Sequence, residues 1–444
     1  MKRLIIFTAF AVILFNSCKK ETTNATQNNA SNKLVSLSTS PDHESSAVAT
    51  DWYKLMLNIT LNTYPVSPPN SRMFDYAGVA LWESVRNGIP GGVSLHDQLY
   101  QMPVMPVPEN NGYSWPIAAN AALADIFKDL FGTLTDANIV SMDSLEKAYN
   151  NKLTPNKNSE VAARSRAFGK AVAAAIFDWS KSDNSDHIND PYTPPVFPGA
   201  WVPTPPIFLP PVLPYEGNVR PFLKKHLTQV QSVPYTYSKD LSSDYFKMAK
   251  QIYDQSKANT DEQKTIALFW GDPNGDGQGY TPPGHEMSIL TQVLEKMNAS
   301  LSLAAQLYVK AGIAQNDATI ICFRSKYADP RMRPITYIDS FIDPSWSSFL
   351  FTPPHPEFPA AHAFITPATF EAMASMLGKN FAFTDHTYDF NGLGPRSYSS
   401  LDSAARECGI SRFYGGIHYK LSIEKSHDYG VAIGDDAANV QLIK

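Results

Sequence analysis

The sequence predicts an all-α protein, a large helical bundle with one proline-rich arm extended along it. Apolar residues recur at three- and four-residue spacing over most of the chain, which is typical of helices that bury one face. Alternating, strand-like patterns are rare. Ten prolines fall within residues 191–214, where neither a helix nor a central strand can form.

Eight segments carry the helical apolar spacing. The strongest is Ser159–Ser180, in which five large side chains share one stripe, namely Val161, Phe168, Val172, Ile176 and Trp179. The others cover residues 51–62, 71–87, 242–257, 261–270, 286–310, 360–377 and 423–440. Residues 191–214 hold four bulky apolar side chains, Trp201, Ile207, Phe208 and Leu209. We therefore predict an arm packed on the bundle, although a linker between two helical halves would also suit the prolines.

Composition excludes several classes of protein. At 43% hydrophobic and 12% aromatic residues, the 444-residue chain can bury a sizeable core. A formal net charge of −5 argues against a nucleic-acid-binding protein, which usually has a basic face. The three cysteines, Cys18, Cys322 and Cys408, cannot form a disulfide framework, and no paired spacing suggests zinc.

The N-terminus has the pattern of an export signal. Lys2 and Arg3 precede an apolar run over residues 4–15, which is too short to span a bilayer but fits a secretory signal. Cys18 follows after two further residues and resembles the acylated cysteine of a bacterial lipoprotein box. The alternative is an ordinary signal peptide with an incidental cysteine. We predict an exported lipoprotein of the periplasm or outer-membrane surface, attached to the membrane only through its lipid.

The chain divides into four predicted parts. Residues 1–17 form the signal peptide, and residues 18–46, rich in Asn, Ser and Thr, form a flexible tether. Residues 47–230 form an N-terminal helical part that includes the arm, and residues 231–444 form a C-terminal helical bundle. No later stretch reaches the roughly 18 apolar residues of a membrane-spanning helix.

Three short segments of the C-terminal part carry residues suited to binding an anion. In the first segment Lys326 is followed after six residues by Arg333-Pro. In the second, the residues Phe-Pro-Ala-Ala directly precede His362. In the third, Arg412 is followed after five residues by His418. Brought together, the cations would neutralise a tetrahedral oxyanion, and the guanidinium groups would bind its oxygens in pairs. One imidazole can bond the central atom while the other moves protons.

The order and spacing of these segments resemble the three signatures of the vanadium haloperoxidase and type 2 phosphatidic acid phosphatase superfamily. Those signatures are Lys, six residues, Arg-Pro; Pro-Ser-Gly-His; and Ser-Arg, five residues, His. Residues 264–270 and 281–285 are also similar to a segment that soluble bacterial members place ahead of the first signature. The resemblance implies the haloperoxidase-type helical bundle, with vanadate, or phosphate as substrate or analogue, in one pocket.

The resemblance also implies a role for each residue. The oxyanion would be held by four groups, Lys326, Arg333, Arg412 and the backbone N–H of Ala361. His418 would be the apical ligand of vanadium, or the phosphorylated nucleophile of a phosphatase. His362 would be the acid–base group, and Asp272 resembles a supporting acid that pairs with Arg412.

Two positions depart from the family pattern. Ala360 and Ala361 replace Ser-Gly, so a hydroxyl that would bind one oxygen is missing. One lost donor to a charged group costs about 1–3 kcal/mol. Phosphatase members often have Asp four residues after the nucleophilic histidine, where this chain has Ser422, and a misoriented ring reduces the rate. Asp428 lies farther along the chain and is not assigned to this role.

Three functions are consistent with these residues. A vanadate-dependent haloperoxidase would take peroxide and a halide, and His355, seven residues before His362, resembles the histidine of bromide-oxidising members. An acid phosphatase would take a phosphomonoester through a phosphohistidine. A degenerate, non-catalytic oxyanion-binding lipoprotein is the third class, which Ala360 favours. The predicted absence of membrane helices places the haloperoxidase first.

Overall fold

A computed structural model of the protein describes residues 39–62, 70–132, 134–154, 159–272 and 278–444. The predicted signal peptide, Cys18 and most of the predicted tether lie outside the described residues. The end of the tether does not match its prediction, because Pro41–His43 form a 3-10 helix and the backbone of Ser45 bridges to Ser300. The packed chain therefore begins before residue 47.

The described residues form thirteen α-helices and one short hairpin, which confirms the predicted all-α class. The helices are α1 (Ala47–Leu61), α2 (Asn70–Val85), α3 (Trp115–Leu130), α4 (Asp136–Lys152), α5 (Ser159–Ser180), α6 (Asp244–Ala258), α7 (Asp261–Phe269), α8 (Pro282–Lys296), α9 (Leu301–Ala328), α10 (Pro334–Phe341), α11 (His362–Leu377), α12 (Leu401–Tyr414) and α13 (Lys420–Ala438). Strands β1 (Phe383–Asp385) and β2 (Arg396–Tyr398) pair antiparallel, with Phe383 opposite Tyr398.

The helix predicted over residues 286–310 is two helices in the structure. Helix α8 ends at Lys296, and Ser300 caps α9 by accepting a hydrogen bond from the N–H of Leu303. Between them Asn298 has a positive φ of 48°, a conformation that ends a helix. The apolar spacing continues through this break, so periodicity alone could not reveal it.

Helix α9 is the centre of the molecule. It packs on α2 from the N-terminal part and on α11 from the C-terminal part, and one hydrophobic core runs from Val48 to Leu442. Close approach to α2 depends on two glycines. A Cβ at Gly78 would lie 2.7 Å from the carbonyl oxygen of Tyr308, and one at Gly312 would lie 3.0 Å from the Cα of Asp75. The two predicted helical parts therefore share one core.

The proline-rich segment is an extended arm, as predicted. Trp201 is buried and donates its backbone N–H to the carbonyl oxygen of Pro330, while Tyr327 on α9 donates its hydroxyl to the carbonyl oxygen of Val212. The apolar side chains do not all contribute, because Ile207 and Phe208 are mostly exposed. The arm is thus fixed at Trp201, near its middle, and at Val212, near its end, and both contacts lie beside the C-terminal end of α9.

No helix of the described chain combines the length and the apolar character needed to cross a bilayer. The longest, α9, is almost entirely buried, but it carries polar and charged side chains such as Lys310, Gln315 and Asp317. Its apolar residues face other helices of the bundle.

Candidate active site

The five cationic and imidazole side chains predicted to form a site all lie at or beside helix ends. Lys326 is in the last turn of α9, and Arg333 directly precedes α10. His362 is the first residue of α11, Arg412 is in the last turn of α12, and His418 lies two residues before α13. Helix ends have unpaired N–H or carbonyl groups, which makes them natural places for polar sites.

The structure brings these side chains together. Arg333 Nη1 lies 3.0 Å from His418 Nε2, and Arg412 Nη1 lies 3.2 Å from His362 Nε2. Lys326 Nζ donates to a carbonyl oxygen 2.7 Å away in the loop that precedes α11. Segments separated by up to 92 positions in the chain therefore share one buried cluster.

The three cations are buried without a carboxylate partner. Lys326, Arg333 and Arg412 are 0%, 0% and 2% exposed, and none of them forms an ion pair with any described residue. Burial lowers the pKa of Lys326 to about 7 and that of Arg333 to about 10. Uncompensated buried charge is costly, so the cluster is built to receive an anion.

Lys326 holds the loop that leads to α11. Its ammonium group donates to the carbonyl oxygens of Pro356 (2.7 Å), Glu357 (3.2 Å) and Pro359. Arg333 is held in a similar way, by the carbonyl oxygens of His355 and of Ile417. Both cations are therefore fixed by neutral acceptors, which orient them, and the only opposing charge that acts on them from the described carboxylates, that of Glu357, does so without an ion-pair contact.

His418 is oriented by a carboxylate that sequence reasoning missed. Glu357 Oε1 lies 2.9 Å from His418 Nδ1, and burial keeps the pKa of His418 well below its usual value. Because a carboxylate oxygen accepts, the neutral ring carries its proton on Nδ1. Nε2 then carries the lone pair, which accepts from Arg333 in the anion-free protein and would be open to a ligand once Arg333 donates to that ligand instead.

Glu357 is itself held by three further donors. Its Oε2 accepts from the hydroxyls of Tyr235 (2.5 Å) and Ser422 (2.9 Å), and its Oε1 accepts from the backbone N–H of Tyr419 (3.1 Å). Burial raises the pKa of Glu357, and the hydroxyl of Tyr235, the charges of Arg333 and Lys326 and the hydroxyl of Ser422 oppose that shift. The expectation that Ser422 leaves the ring of His418 misoriented is wrong, because Glu357 supplies the carboxylate and Ser422 holds it.

His362 lies between the carboxylate of Asp272 and the guanidinium group of Arg412. Its Nε2 is 3.2 Å from Asp272 Oδ2 and 3.2 Å from Arg412 Nη1. Burial and the neighbouring Arg412 lower the pKa of His362 to about 4, although Asp272 acts in the opposite direction. The ring is therefore neutral in the free protein at neutral pH.

Asp272 contacts His362 rather than its predicted partner. Its Oδ1 lies 2.8 Å from His285 Nδ1 and accepts from the hydroxyl of Tyr388 at 2.7 Å. Arg412 forms no ion pair with Asp272 and instead donates to the carbonyl oxygen of Trp270. A direct contact between Asp272 and Arg412 is thus not seen, because His285 and Tyr388 hold Oδ1 and His362 faces Oδ2, but the charge of Asp272 still raises the pKa of Arg412 against burial.

Comparisons with known proteins identify the family to which this fold belongs. A family model described as the VCPO second helical-bundle domain matches residues 306–442. The solved structure of a bacterial vanadium-dependent iodoperoxidase is 30% identical, with a TM-score of 0.83, covering 90% of this chain and 98% of that one. The chain belongs to the vanadium-dependent haloperoxidase family.

Two further structures share the fold of this haloperoxidase-family chain. They are holo-type and apo-type bacterial vanadium-dependent chloroperoxidases, each 16% identical with a TM-score of 0.63. Each alignment covers 86% of this chain, and 94% and 96% of the respective chloroperoxidase. A search of curated proteins by sequence finds no match.

His355 forms part of the pocket in this haloperoxidase-family chain. Its Nδ1 lies 3.1 Å from Arg333 Nη2, and its ring meets Phe323 edge-on with a centroid distance of 5.4 Å. Burial, followed by the nearby Lys326 and Arg333, holds its pKa well below the usual value. His355 is therefore a neutral acceptor beside Arg333, and its association with bromide stays a prediction.

The two alanines that depart from the family pattern lie at the start of α11. The N–H of Ala360 donates to the hydroxyl of Ser426 on α13 at 2.9 Å, which fixes the backbone there. Ala361 is the N-cap residue of α11, and no described residue accepts from its N–H. Ala361 thus keeps the backbone donor that the family resemblance implies.

Sequence reasoning missed two carboxylates, of Glu357 and Asp385, and one hydroxyl, of Tyr388, around the site of this haloperoxidase-family chain. Glu357 directly precedes the second signature, which begins at Phe358, so its position next to a predicted ligand segment was a usable signal. Asp385 and Tyr388 come from the hairpin region that follows α11, and nothing in the local sequence connects them with the site. Clusters of three or more His, Cys, Asp or Glu suited to a metal cation are absent from the described residues.

Proposed function

We propose that this chain is a haloperoxidase that uses bound vanadate and hydrogen peroxide to oxidise a halide. The observation that carries the proposal is the group of three buried cations without a carboxylate partner around the Nε2 lone pair of His418. Such an arrangement suits a tetrahedral oxyanion whose central atom accepts a nitrogen ligand. The 30% identical relative, named as a vanadium-dependent iodoperoxidase, supports it.

The residues fit vanadate in both charge and donor type. Lys326, Arg333 and Arg412 would hold its oxygens, with the N–H of Ala361 as a neutral donor at the start of α11. His418 Nε2 would bind the vanadium atom. Bound vanadate would supply a redox-inert Lewis acid that polarises hydrogen peroxide.

The protein itself contributes orientation and proton handling. Glu357 keeps the proton of His418 on Nδ1, so that Nε2 stays available. In the net reaction, halide, hydrogen peroxide and one proton give hypohalous acid and water, with two electrons passing from halide to peroxide. His362 would hold that proton, because Asp272 Oδ2 lies 3.2 Å from its Nε2 and stabilises the charged ring.

We propose iodide as the halide, since it is the most easily oxidised of the three common halides. The pocket offers little to favour a harder halide, because His355 is neutral and accepts from Arg333 rather than presenting a charge. Bromide is the natural second substrate to test, because His355 resembles the histidine of bromide-oxidising members.

A phosphomonoesterase is the second candidate, and the contact between Glu357 and His418 favours it. An imidazole with Nδ1 held by a carboxylate and Nε2 free is the arrangement of a phosphohistidine nucleophile. Nε2 would attack phosphorus, His362 would protonate the departing alcohol, and water would then release phosphate. The same cations would hold the phosphoryl oxygens.

The deciding experiment is a vanadate titration with and without phosphate, followed by peroxide assays with iodide and bromide and an assay with p-nitrophenyl phosphate. We expect competitive binding and iodide oxidation that depends on added vanadate. Arg333→Met should abolish both binding and oxidation. Arg324→Met is the control, because Arg324 is a partly buried arginine whose acceptors among the described residues are carbonyl oxygens outside the pocket.

Each contrary outcome has a distinct meaning. Vanadate binding with phosphomonoester turnover and no halide oxidation would replace the haloperoxidase with the phosphatase. Binding without any turnover would favour the degenerate class. Failure of the pocket to bind vanadate or phosphate would overturn the assignment of the cation cluster.

We also propose that the mature protein is exported and carries lipid on Cys18. The proposal rests on the short apolar run and the cysteine that follows it. A lipid at this position would attach the helical body to a membrane surface without any spanning helix.

A further inference from the structure

A buried chain of alternating carboxylates and imidazoles leads from the hairpin to the proposed acid–base group. Asp385 Oδ2 lies 2.8 Å from His285 Nε2, and His285 Nδ1 lies 2.8 Å from Asp272 Oδ1. The other oxygen of Asp272 lies 3.2 Å from His362 Nε2. The side chains of Asp385, His285 and Asp272 are at most 1% exposed, so water screens none of these contacts.

His285 carries a positive charge in this chain. A neutral imidazole has one N–H, so a neutral ring would turn a lone pair toward one of its two carboxylates. Burial acts against the charge, but Asp272 and Asp385 raise the pKa of His285 to about 10. The ring also stacks on Trp270, with centroids 4.6 Å apart, and an aromatic face stabilises a cation.

The charge on His285 keeps Asp272 ionised and turned toward His362. Oδ1 of Asp272 is taken by His285 and by the hydroxyl of Tyr388, whereas His362 is the one described residue within reach of Oδ2. Burial would favour a neutral acid, yet the charge of His285 holds the pKa of Asp272 well below its usual range. An unpartnered carboxylate oxygen in a dry site favours an N–H opposite it.

Two neighbours make opposite demands on His362 Nε2. Asp272 Oδ2 requires a proton there, whereas Arg412 Nη1, also 3.2 Å away, requires a lone pair. A neutral ring can satisfy only one of them at a time. The tautomer of His362 therefore depends on which neighbour prevails.

We propose that His285 is a positioning residue that, with Asp385 behind it, decides this competition in favour of Asp272. His362 is then held as the Nε2–H tautomer, and Arg412 is left free to donate to a bound oxyanion. The effect on turnover rests on the proposed function, but the tautomer of His362 is a property of the chain without any ligand.

The test compares His285→Gln with His226→Gln in the full chain. His226 is a matched control, because it is also buried between two carboxylates, Asp317 at 2.7 Å and Asp436 at 3.0 Å, outside the site. Nitrogen-15 NMR of histidine-labelled, anion-free protein reports the tautomer of each ring. The signals of His362 are assigned with His362→Gln.

We expect the Nε2–H form of His362 in the wild type and in His226→Gln, and the Nδ1–H form in His285→Gln. Iodide oxidation by vanadate-loaded His285→Gln should fall about 10- to 100-fold in kcat, as is typical when a supporting partner is lost. Vanadate affinity should fall by a smaller factor, about three- to tenfold, because Arg412 would then donate to the Nε2 lone pair of His362 in competition with the oxyanion. A purely structural role would instead lower the amount of folded protein.

An unchanged tautomer in His285→Gln overturns the proposal, and so does an equal shift in both variants. Should His285→Gln fail to fold, Asp385→Asn tests the same chain from its far end, and it should shift His362 in the same direction. Absence of halide oxidation in the wild type would refute the proposed function alone, because the tautomer comparison needs no turnover.

Discussion

Glu357 Oε1 lies 2.9 Å from His418 Nδ1, so the ring of the proposed vanadium ligand is oriented by a carboxylate 61 residues earlier in the chain. The same carboxylate accepts from Ser422, which stands where related phosphatases often have an aspartate. In this chain the carboxylate comes from the loop before α11, and the hydroxyl of Ser422 donates to it. Orientation of His418 is retained by a different residue.

Glu357→Gln should reduce turnover or vanadate affinity about 10- to 100-fold, because an amide neither fixes the Nδ1 proton nor supplies charge. Steady-state kinetics and a vanadate titration measure the two effects. Ser422→Ala serves as the control, since it removes one of four donors and should cost only a few-fold. Wild-type behaviour of a folded Glu357→Gln protein would show that His418 needs no carboxylate.

Sulfate should bind more weakly as the pH rises through about 7. Burial, with a contribution from Arg333, lowers the pKa of Lys326 to about 7, so the ammonium loses its proton above that pH in the free protein. Sulfate keeps a constant charge over this range, so calorimetry follows the protein alone. Lys326→Arg should bind with little pH dependence, since a guanidinium stays charged. Equal pH profiles for both proteins would mean that another group controls binding.

Ala360→Ser should tighten vanadate binding by about one decade, both alone and with Ala361→Gly to relieve crowding. The added hydroxyl would restore the oxygen donor that the family pattern has at this position. Ala361→Gly alone is the control and should change little. If neither Ala360→Ser alone nor the double variant binds vanadate more tightly, another group already replaces the hydroxyl. The argument that Ala360 weakens the site would then fail.

Mass spectrometry of the N-terminus of the native protein should find a lipid-modified Cys18 as the first residue. The short apolar run before it is read as a cleaved signal, and acylation would add several apolar chains. Cys18→Ser should release the protein from membranes in fractionation. An unmodified chain that starts beyond Cys18 would exclude the anchor.

The helical class and the converging cations were predictable because both depend on short, regular spacings. Periodicity identified α5 and most of α2, and three spaced motifs identified Lys326, Arg333, His362, Arg412 and His418. Helices α3 and α12 were missed, since their many alanines and small residues blur the apolar stripe that marks a helix face.

The supporting carboxylates could not be assigned to their partners from sequence. Asp272 was predicted beside Arg412, but its partners His285 and Tyr388 come from α8 and from the segment after β1, which tertiary packing alone brings together. Glu357 stands in a loop whose carbonyl oxygens bind Lys326, and this folded loop places its carboxylate beside His418. Contacts of this kind depend on the folded loop, which no local spacing encodes.

The uninterrupted length of α9 has a consequence for how the protein loses activity. Gly312 allows this helix to pack closely against α2, and Lys326 lies 14 residues farther along the same helix, about 21 Å away. Because α9 is one continuous helix, a displacement of the helix where it contacts α2 should also displace Lys326 at the anion-binding end. Heating should therefore abolish oxyanion binding and melt the N-terminal helices in one transition, and fragments that lack residues 47–230 should retain neither property.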